Sequence, residues 1–87
     1  MQPLTLFYLK FCPYCHEAKA YIEELLKEEK YQKIEIQWIN EGKERALADT
    51  YDYYYVPTFY LGRKKLHEGA MSKEDVRKVF ETALANG

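Results

Sequence analysis

The feature that most constrains this chain is Cys12-Pro13-Tyr14-Cys15, set where an apolar strand-like run, Leu4 to Leu9, gives way to a helix-like run from His16 to Glu29. These are the only two cysteines among 87 residues. A Cys-x-x-Cys at the strand-to-helix junction of a βαβ pattern points to redox chemistry rather than to a staple or a metal knuckle. The first N–H groups of a helix lack intrahelical partners and carry the positive end of the macrodipole. A sulfur at or just before the first turn has its thiolate stabilised there, and the thiolate is the form that attacks a disulfide. Pro13 suits the first helical position, because the N–H it lacks would be unpaired anyway. Cys12 is therefore expected near the N-cap, facing outward. Cys15, Ala18, Ile22, Leu25 and Leu26 recur at three- and four-residue steps, which puts the second sulfur on the helix's apolar stripe. One exposed, activated thiol beside a shielded one is what an attack-then-resolve pair requires.

Three other readings of the motif are weaker. A structural disulfide across this spacing closes a tiny loop worth only ~2 kcal/mol in the loop-entropy picture. A zinc site needs about two further ligands, and the histidines on hand are His16 and His67. Cys12 to His16 also reads C-x-x-C-H, the haem-attachment pattern. Haem c would need an export signal and a second axial ligand, and its usual helical folds fit poorly with the strands here.

The run Cys-Pro-Tyr-Cys-His-Glu-Ala-Lys-Ala closely resembles the active-site helix of the glutaredoxins, within the thioredoxin superfamily. The resemblance implies a small thiol–disulfide oxidoreductase with Cys12 as nucleophile and Cys15 as resolver. Tyr14 would form part of the substrate groove's wall. Glutathione is the implied co-substrate, with no tightly bound cofactor. The implied partners are disulfide-containing proteins and either glutathione or a flavin thioredoxin reductase. Some glutaredoxins also bind an iron–sulfur cluster between two monomers, which is a further alternative.

Composition agrees with that class. The length implies one domain spanning residues 1–87, near the smaller end of what folds without staples. A net charge of −1 argues against nucleic acid or an anionic membrane as principal partner. No apolar run approaches ~18 residues, and no basic segment leads into an apolar one, so neither a membrane span nor a signal peptide is expected. The expected setting is the reducing cytoplasm, where a lone cysteine pair is catalytic, and the expected state is a monomer. Nine tyrosines raise the aromatic fraction to 16%; a small domain uses such rings to enlarge its core.

Leu4 to Leu9 suits a central strand covered on both faces. Lys10 stands two residues before Cys12, whereas glutaredoxins commonly carry a lysine three before. It stabilises the Cys12 thiolate, meets a substrate carboxylate or is simply solvated. The first helix is expected from Pro13 to Glu29. His16, in its first turn, either shuttles protons or faces solvent. Ile34, Ile36 and Trp38 alternate with Glu35 and Gln37, the period of a half-exposed strand. After a turn at Asn40-Glu41-Gly42, a weaker helix is expected over Lys43 to Tyr51, with Ala46, Leu47 and Tyr51 inward. Asp49 and Thr50 are poor helix formers, which makes this element the weakest.

A proline inside an apolar run opens a strand but does not stand in its middle. Pro57 should therefore start a strand over Thr58 to Leu61. The resemblance implies that the Val56–Pro57 bond is cis and packs against the cysteines, with the Val56 backbone hydrogen-bonding the substrate. Tyr55 replaces the threonine of the glutaredoxin Thr-Val-Pro, and Pro57-Thr58 looks like thioredoxin instead. Gly62 and Arg63 turn the chain into a last strand, Lys64 to Glu68. In Gly69-Ala70-Met71-Ser72-Lys73, Ala70 replaces the second glycine of a glutaredoxin pair. Ser72 stands where an aspartate often helps to hold glutathione. Gly69 and Ser72 remain candidate substrate-binding positions, although the run is closer to the Gly-Ala-Leu-Ser-Lys of thioredoxins. Ser72 to Asp75 reads as a capped helix start. Val76, Val79, Phe80, Ala83 and Leu84 then give one apolar face, and Asn86-Gly87 stops the helix. The expected fold is α/β, βαβαββα, with a four-stranded mixed sheet and helices on both faces. The first two strands should be parallel across a right-handed crossover.

Overall fold

The structure is a computed structural model that describes residues 2–86. Its elements are β1 (Leu4–Tyr8), α1 (Pro13–Leu25), a 3₁₀ turn (Glu29–Tyr31), β2 (Ile36–Asn40), α2 (Arg45–Ala48), β3 (Thr58–Leu61), β4 (Lys64–Glu68) and α3 (Lys73–Ala85). They build one sheet in the order β2-β1-β3-β4. β1 and β2 are parallel, with Leu6 opposite Trp38. β3 lies antiparallel to β1, with Phe59 opposite Leu6, and to β4 on its other side. Gly62, at φ +61°, makes the turn between the last two strands, a conformation glycine adopts without strain.

Strand alternation sends successive side chains to opposite faces, and here both faces are covered. On one, Leu4, Leu6, Phe59 and Leu61 pack against Ala18, Ile22 and Leu25 of α1 and Val76, Val79, Phe80 and Ala83 of α3. On the other, Phe7, Ile39 and Tyr60 pack against Ala48 of α2. β1 is thus covered on both faces, as its continuous apolar run requires. α3 begins where the sequence placed it. The Ser72 hydroxyl accepts the Asp75 N–H at 3.1 Å, and the Asp75 carboxylate accepts the Ser72 N–H at 2.9 Å. The stop at Asn86-Gly87 is described only at its C-cap, Asn86; Gly87 lies outside the described residues.

Three expectations need correction. α1 ends at Leu25, not Glu29, because Lys27 and Glu28 bond back three residues and tighten the chain. The turn that follows brings Tyr31 fully into the core, against Phe80 with ring centroids 5.3 Å apart. Ile34 precedes β2 rather than starting it, yet is buried. α2 is a single turn whose N-cap, Glu44, makes no side-chain cap bond. It buries Ala48, leaving Ala46 and Leu47 exposed, while Tyr51 packs inward beyond its end.

Candidate active site

The end of β1 and the start of α1 bring Cys12 to the N-cap, with extended backbone at φ −105° and ψ 112°. Its carbonyl accepts the Cys15 and His16 N–H groups, each at 3.1 Å, which closes the first turn. Its sulfur accepts the Cys15 N–H as well, at 3.1 Å. A thiolate at this atom is thus met by a first-turn N–H, shared with the Cys12 carbonyl, at the positive end of the helix dipole. Both thiols are free, Cys12 half-buried and Cys15 buried. Burial is the main cause that pushes the Cys15 thiol up to about 12. The neighbouring Cys12 adds to the shift, and the Leu9 backbone partly offsets it. Cys12, expected to face outward, is half-buried.

The wall facing Cys12 comes from the loop before β3. The Val56–Pro57 bond is cis. The Cys12 thiol donates to the Val56 carbonyl oxygen across 3.9 Å, a long contact that places the two segments side by side. Pro57 is buried, and its own carbonyl accepts the Gly69 N–H at 2.8 Å. Gly69 has φ +89°, so its place at the end of β4 rests on glycine's freedom. Thr58, fully buried, donates its hydroxyl to the Tyr55 carbonyl. Tyr14 stands beside the thiols, more than half exposed.

The remaining candidates lie differently. The Lys10 ammonium sits 5.6 Å over the Phe11 ring. The Lys10 carbonyl lies 2.7 Å from His16 Nε2, so this ring serves the loop before α1 rather than a sulfur. Ser72 spends its N–H on the Asp75 carboxylate, and its hydroxyl oxygen accepts the Asp75 N–H in return. A separate cavity of about 530 Å³ between α1 and β2 is lined by Tyr8, Lys10, Cys15, Lys19, Ile22 and Trp38, among others. It reaches the shielded side of Cys15 and does not include Cys12, Val56 or Pro57.

One residue of this region escaped the sequence reading. The Glu68 carboxylate, at the end of β4, accepts the backbone N–H groups of Tyr54 and Tyr55, the latter at 2.9 Å, and pairs with Lys65 at 2.7 Å. Those partners, Lys65 first, hold the carboxyl at about 2. Lys65 also donates to the Asp52 carbonyl at 3.2 Å. Two side chains of β4 thus tie down residues 52–55. The only sequence signal was the Lys65/Glu68 spacing, which says nothing of the loop they would hold.

A mixed sheet of this order, with a Cys-x-x-Cys capping its first helix and a cis-proline loop facing it, defines a thioredoxin-fold protein that carries a dithiol. The thioredoxin family pattern matches residues 2–85, and the chain belongs to that family. A solved structure of a malarial protein is 20% identical, with 93% of this chain and 94% of that chain covered and a TM-score of 0.71. That likeness speaks for the fold alone. No curated protein matches the sequence significantly. Family membership and the close cysteine pair support a thiol–disulfide oxidoreductase-like role.

Proposed function

We propose that the protein reduces protein disulfides or glutathione mixed disulfides through the Cys12–Cys15 dithiol, in the manner of a glutaredoxin. The observation that carries this reading is the placing of the Cys12 sulfur between the Cys15 N–H at 3.1 Å and the Val56 carbonyl at 3.9 Å. Cys12, as thiolate, attacks one sulfur of the substrate disulfide. A mixed disulfide forms, and the departing thiolate takes up a proton. Cys15 then gives up its proton and attacks Cys12 Sγ, which expels the second substrate thiol and leaves Cys12–Cys15 oxidised. Two electrons have passed from protein to substrate. With a glutathione mixed disulfide, Cys12 alone suffices: it takes the glutathionyl group, and a second glutathione removes it. The Val56 backbone aligns the substrate chain, Pro57 shapes the groove and Tyr14 flanks it. No tightly bound cofactor enters the scheme, and the setting is the reducing cytoplasm.

The identity of the electron donor has a second reading, a thioredoxin-like protein reduced by a flavin thioredoxin reductase. The observation that favours it is the closed capping box at Ser72, which occupies polar groups at a position glutaredoxins use to hold glutathione. Side-by-side reduction of the oxidised protein by glutathione and by thioredoxin reductase tests both. Faster turnover with glutathione supports the first reading, faster turnover with the reductase the second, and none with either overturns the oxidoreductase assignment.

A further inference from the structure

The five-residue stretch Tyr51 to Tyr55, with four tyrosines, is divided by the structure into two halves. Tyr51 and Tyr53 turn inward, with ring centroids 4.7 and 4.8 Å from that of Phe7. Tyr54 and Tyr55 turn outward, 85% and 70% exposed. Next to Cys12 in the chain, Phe11 is 89% and Tyr14 58% exposed. Among the described residues seven large apolar side chains are exposed. Four of them, Phe11, Tyr14, Tyr54 and Tyr55, stand within two residues of Cys12 or Val56. Single exposed apolar side chains need no explanation, but a cluster around a reactive group marks an interaction surface.

The Tyr54–Tyr55 half of the cluster is held in place. Glu68 fastens the amides of both outward tyrosines, Thr58 fastens the Tyr55 carbonyl, and Lys65 reaches the Asp52 carbonyl. Aromatic rings presented by a fixed backbone lose little conformational freedom when a partner docks. Two of the charges nearby are already engaged. Glu68 is neutralised by Lys65 and two N–H groups, and the Lys10 ammonium lies over the Phe11 ring. A small dicarboxylate such as glutathione finds little there to bind. A longer chain with apolar side chains on either side of its cysteine meets a ring on each side of the groove.

We propose that Phe11, Tyr54 and Tyr55 form a rim that selects polypeptide disulfides whose cysteine is flanked by aromatic or large apolar residues. The inference rests on the dithiol reading above and adds the substrate class to it. The substrate's disulfide lies over Cys12 between the Phe11 side and the Tyr54–Tyr55 side, its backbone along Val56. Its flanking side chains cover the exposed rings, and aromatic contacts of this kind dominate many interfaces.

The test uses the full chain, reduced beforehand and freed of reductant, in single-turnover mixing. The probes are hydroxyethyl disulfide and two symmetric peptide disulfides, made from Ac-Gly-Phe-Cys-Phe-Gly-amide and from Ac-Gly-Ser-Cys-Ser-Gly-amide. The wild-type protein should react about tenfold faster with the phenylalanine peptide than with the serine peptide, as one good aromatic contact allows. In the double variant Tyr54→Ser/Tyr55→Ser, and separately in Phe11→Ser, that ratio should fall below about threefold. The ratio is internal to each protein, and near-UV circular dichroism selects variants that are folded, since the thiol of an unfolded chain would not discriminate between the peptides. Phe11→Ser lies on a different segment and serves if the double variant fails to fold. Equal wild-type rates on the two peptides, with hydroxyethyl disulfide still reduced, overturn the rim and leave the dithiol reading standing. A ratio that survives all three substitutions overturns it too. No reaction with any of the three probes overturns both.

Discussion

The Cys12 sulfur lies 3.9 Å from the Val56 carbonyl oxygen, which joins segments 44 residues apart in the chain. Cys15, one helical turn on, is buried beside Leu9 past the end of β1 and borders the separate cavity between α1 and β2. The two thiols therefore differ in access as well as in ionisation. Burial pushes the Cys15 thiol up from an ordinary 9.0 to about 12, so its thiolate fraction at neutral pH is far below that of an ordinary thiol. Iodoacetamide at pH 7 should modify Cys12 in the Cys15→Ser variant and spare Cys15 in the Cys12→Ser variant, as read by mass spectrometry. A Cys15 alkylated faster than Cys12 reverses the assignment of nucleophile and resolver.

The same shift sets a pH dependence. Between about 9 and about 12 the unfolded chain releases a proton that the folded chain keeps on Cys15, so the folded state loses stability as pH rises through that window. Below 9 both states hold the proton and nothing is lost. Urea unfolding at pH 8 and pH 10.5 should therefore show a larger drop for the wild-type protein than for Cys15→Ala. Equal drops would count against burial as the cause.

Glu68 gives a second, independent test. Glu68→Gln removes the charge that draws Lys65 and weakens the bonds to the Tyr54 and Tyr55 amides, so those two amides should exchange with solvent faster at neutral pH, with most other protection unchanged. The sign with pH follows from the carboxyl being held at about 2 against an ordinary 4.5. The anchor is fully present above about 4.5 and is lost as pH falls toward about 2. Unchanged exchange at Tyr54 and Tyr55 in the variant would show that Glu68 does not hold the loop.

How much of this was legible in the sequence depends on the length over which a signal runs. The stripe Val76, Val79, Phe80 and Ala83, begun by Ser72 and Asp75, has both a period and a start signal, and α3 formed where both placed it. Pro57 could only precede a strand, and β3 opens at Thr58. The far end of α1 was misjudged because Leu25 and Leu26 continue the apolar pattern, while the chain tightens there by three-residue bonds that leave no mark in composition. α2 has one turn, too short for a period to say which of Ala46, Leu47 and Ala48 faces in. The tyrosines at 51 to 55 follow neither a helical nor a strand period, so which rings were core and which surface depended on Glu68, thirteen or more residues on. Cys12 and Cys15 were legible because the N-cap position of one and the apolar stripe that carries the other give them different surroundings.

Phe80 tests the packing between the two helices on the larger face. It is fully buried, meets the Tyr31 ring edge-on and belongs to the core cluster that includes Ile22 and Leu25 of α1. Phe80→Ala removes that ring and leaves a cavity, at a cost of about 3–5 kcal/mol. In a domain of this size that is a large part of the total stability. The urea midpoint should fall steeply with little change in slope. A loss under about 1 kcal/mol would mean that α1 and α3 close over the gap.

The remaining prediction concerns glutathione. On the proposed reading the Cys-Pro-Tyr-Cys helix and Val56 favour it, with exchange at Cys12 drawing on the Val56 backbone. The groups that would grip its charged ends are displaced. Lys10 stands two residues before Cys12 and lies over Phe11. The Gly69 N–H is spent on the Pro57 carbonyl, and the Ser72 N–H is spent on the Asp75 carboxylate. A hydrogen bond to a charged group is worth roughly 1.5–3 kcal/mol, and a factor of ten in affinity is about 1.4 kcal/mol, so the loss of one or two such bonds weakens recognition by about tenfold or more. The expected result is real but weak turnover of a glutathione mixed disulfide, at least about tenfold below a typical glutaredoxin assayed alongside. Asp75→Ala, which frees the Ser72 N–H, should recover part of the difference in KM. Turnover equal to the glutaredoxin's would show that these groups are dispensable. No turnover, together with efficient reduction by thioredoxin reductase, would assign the protein to the thioredoxin-type donors.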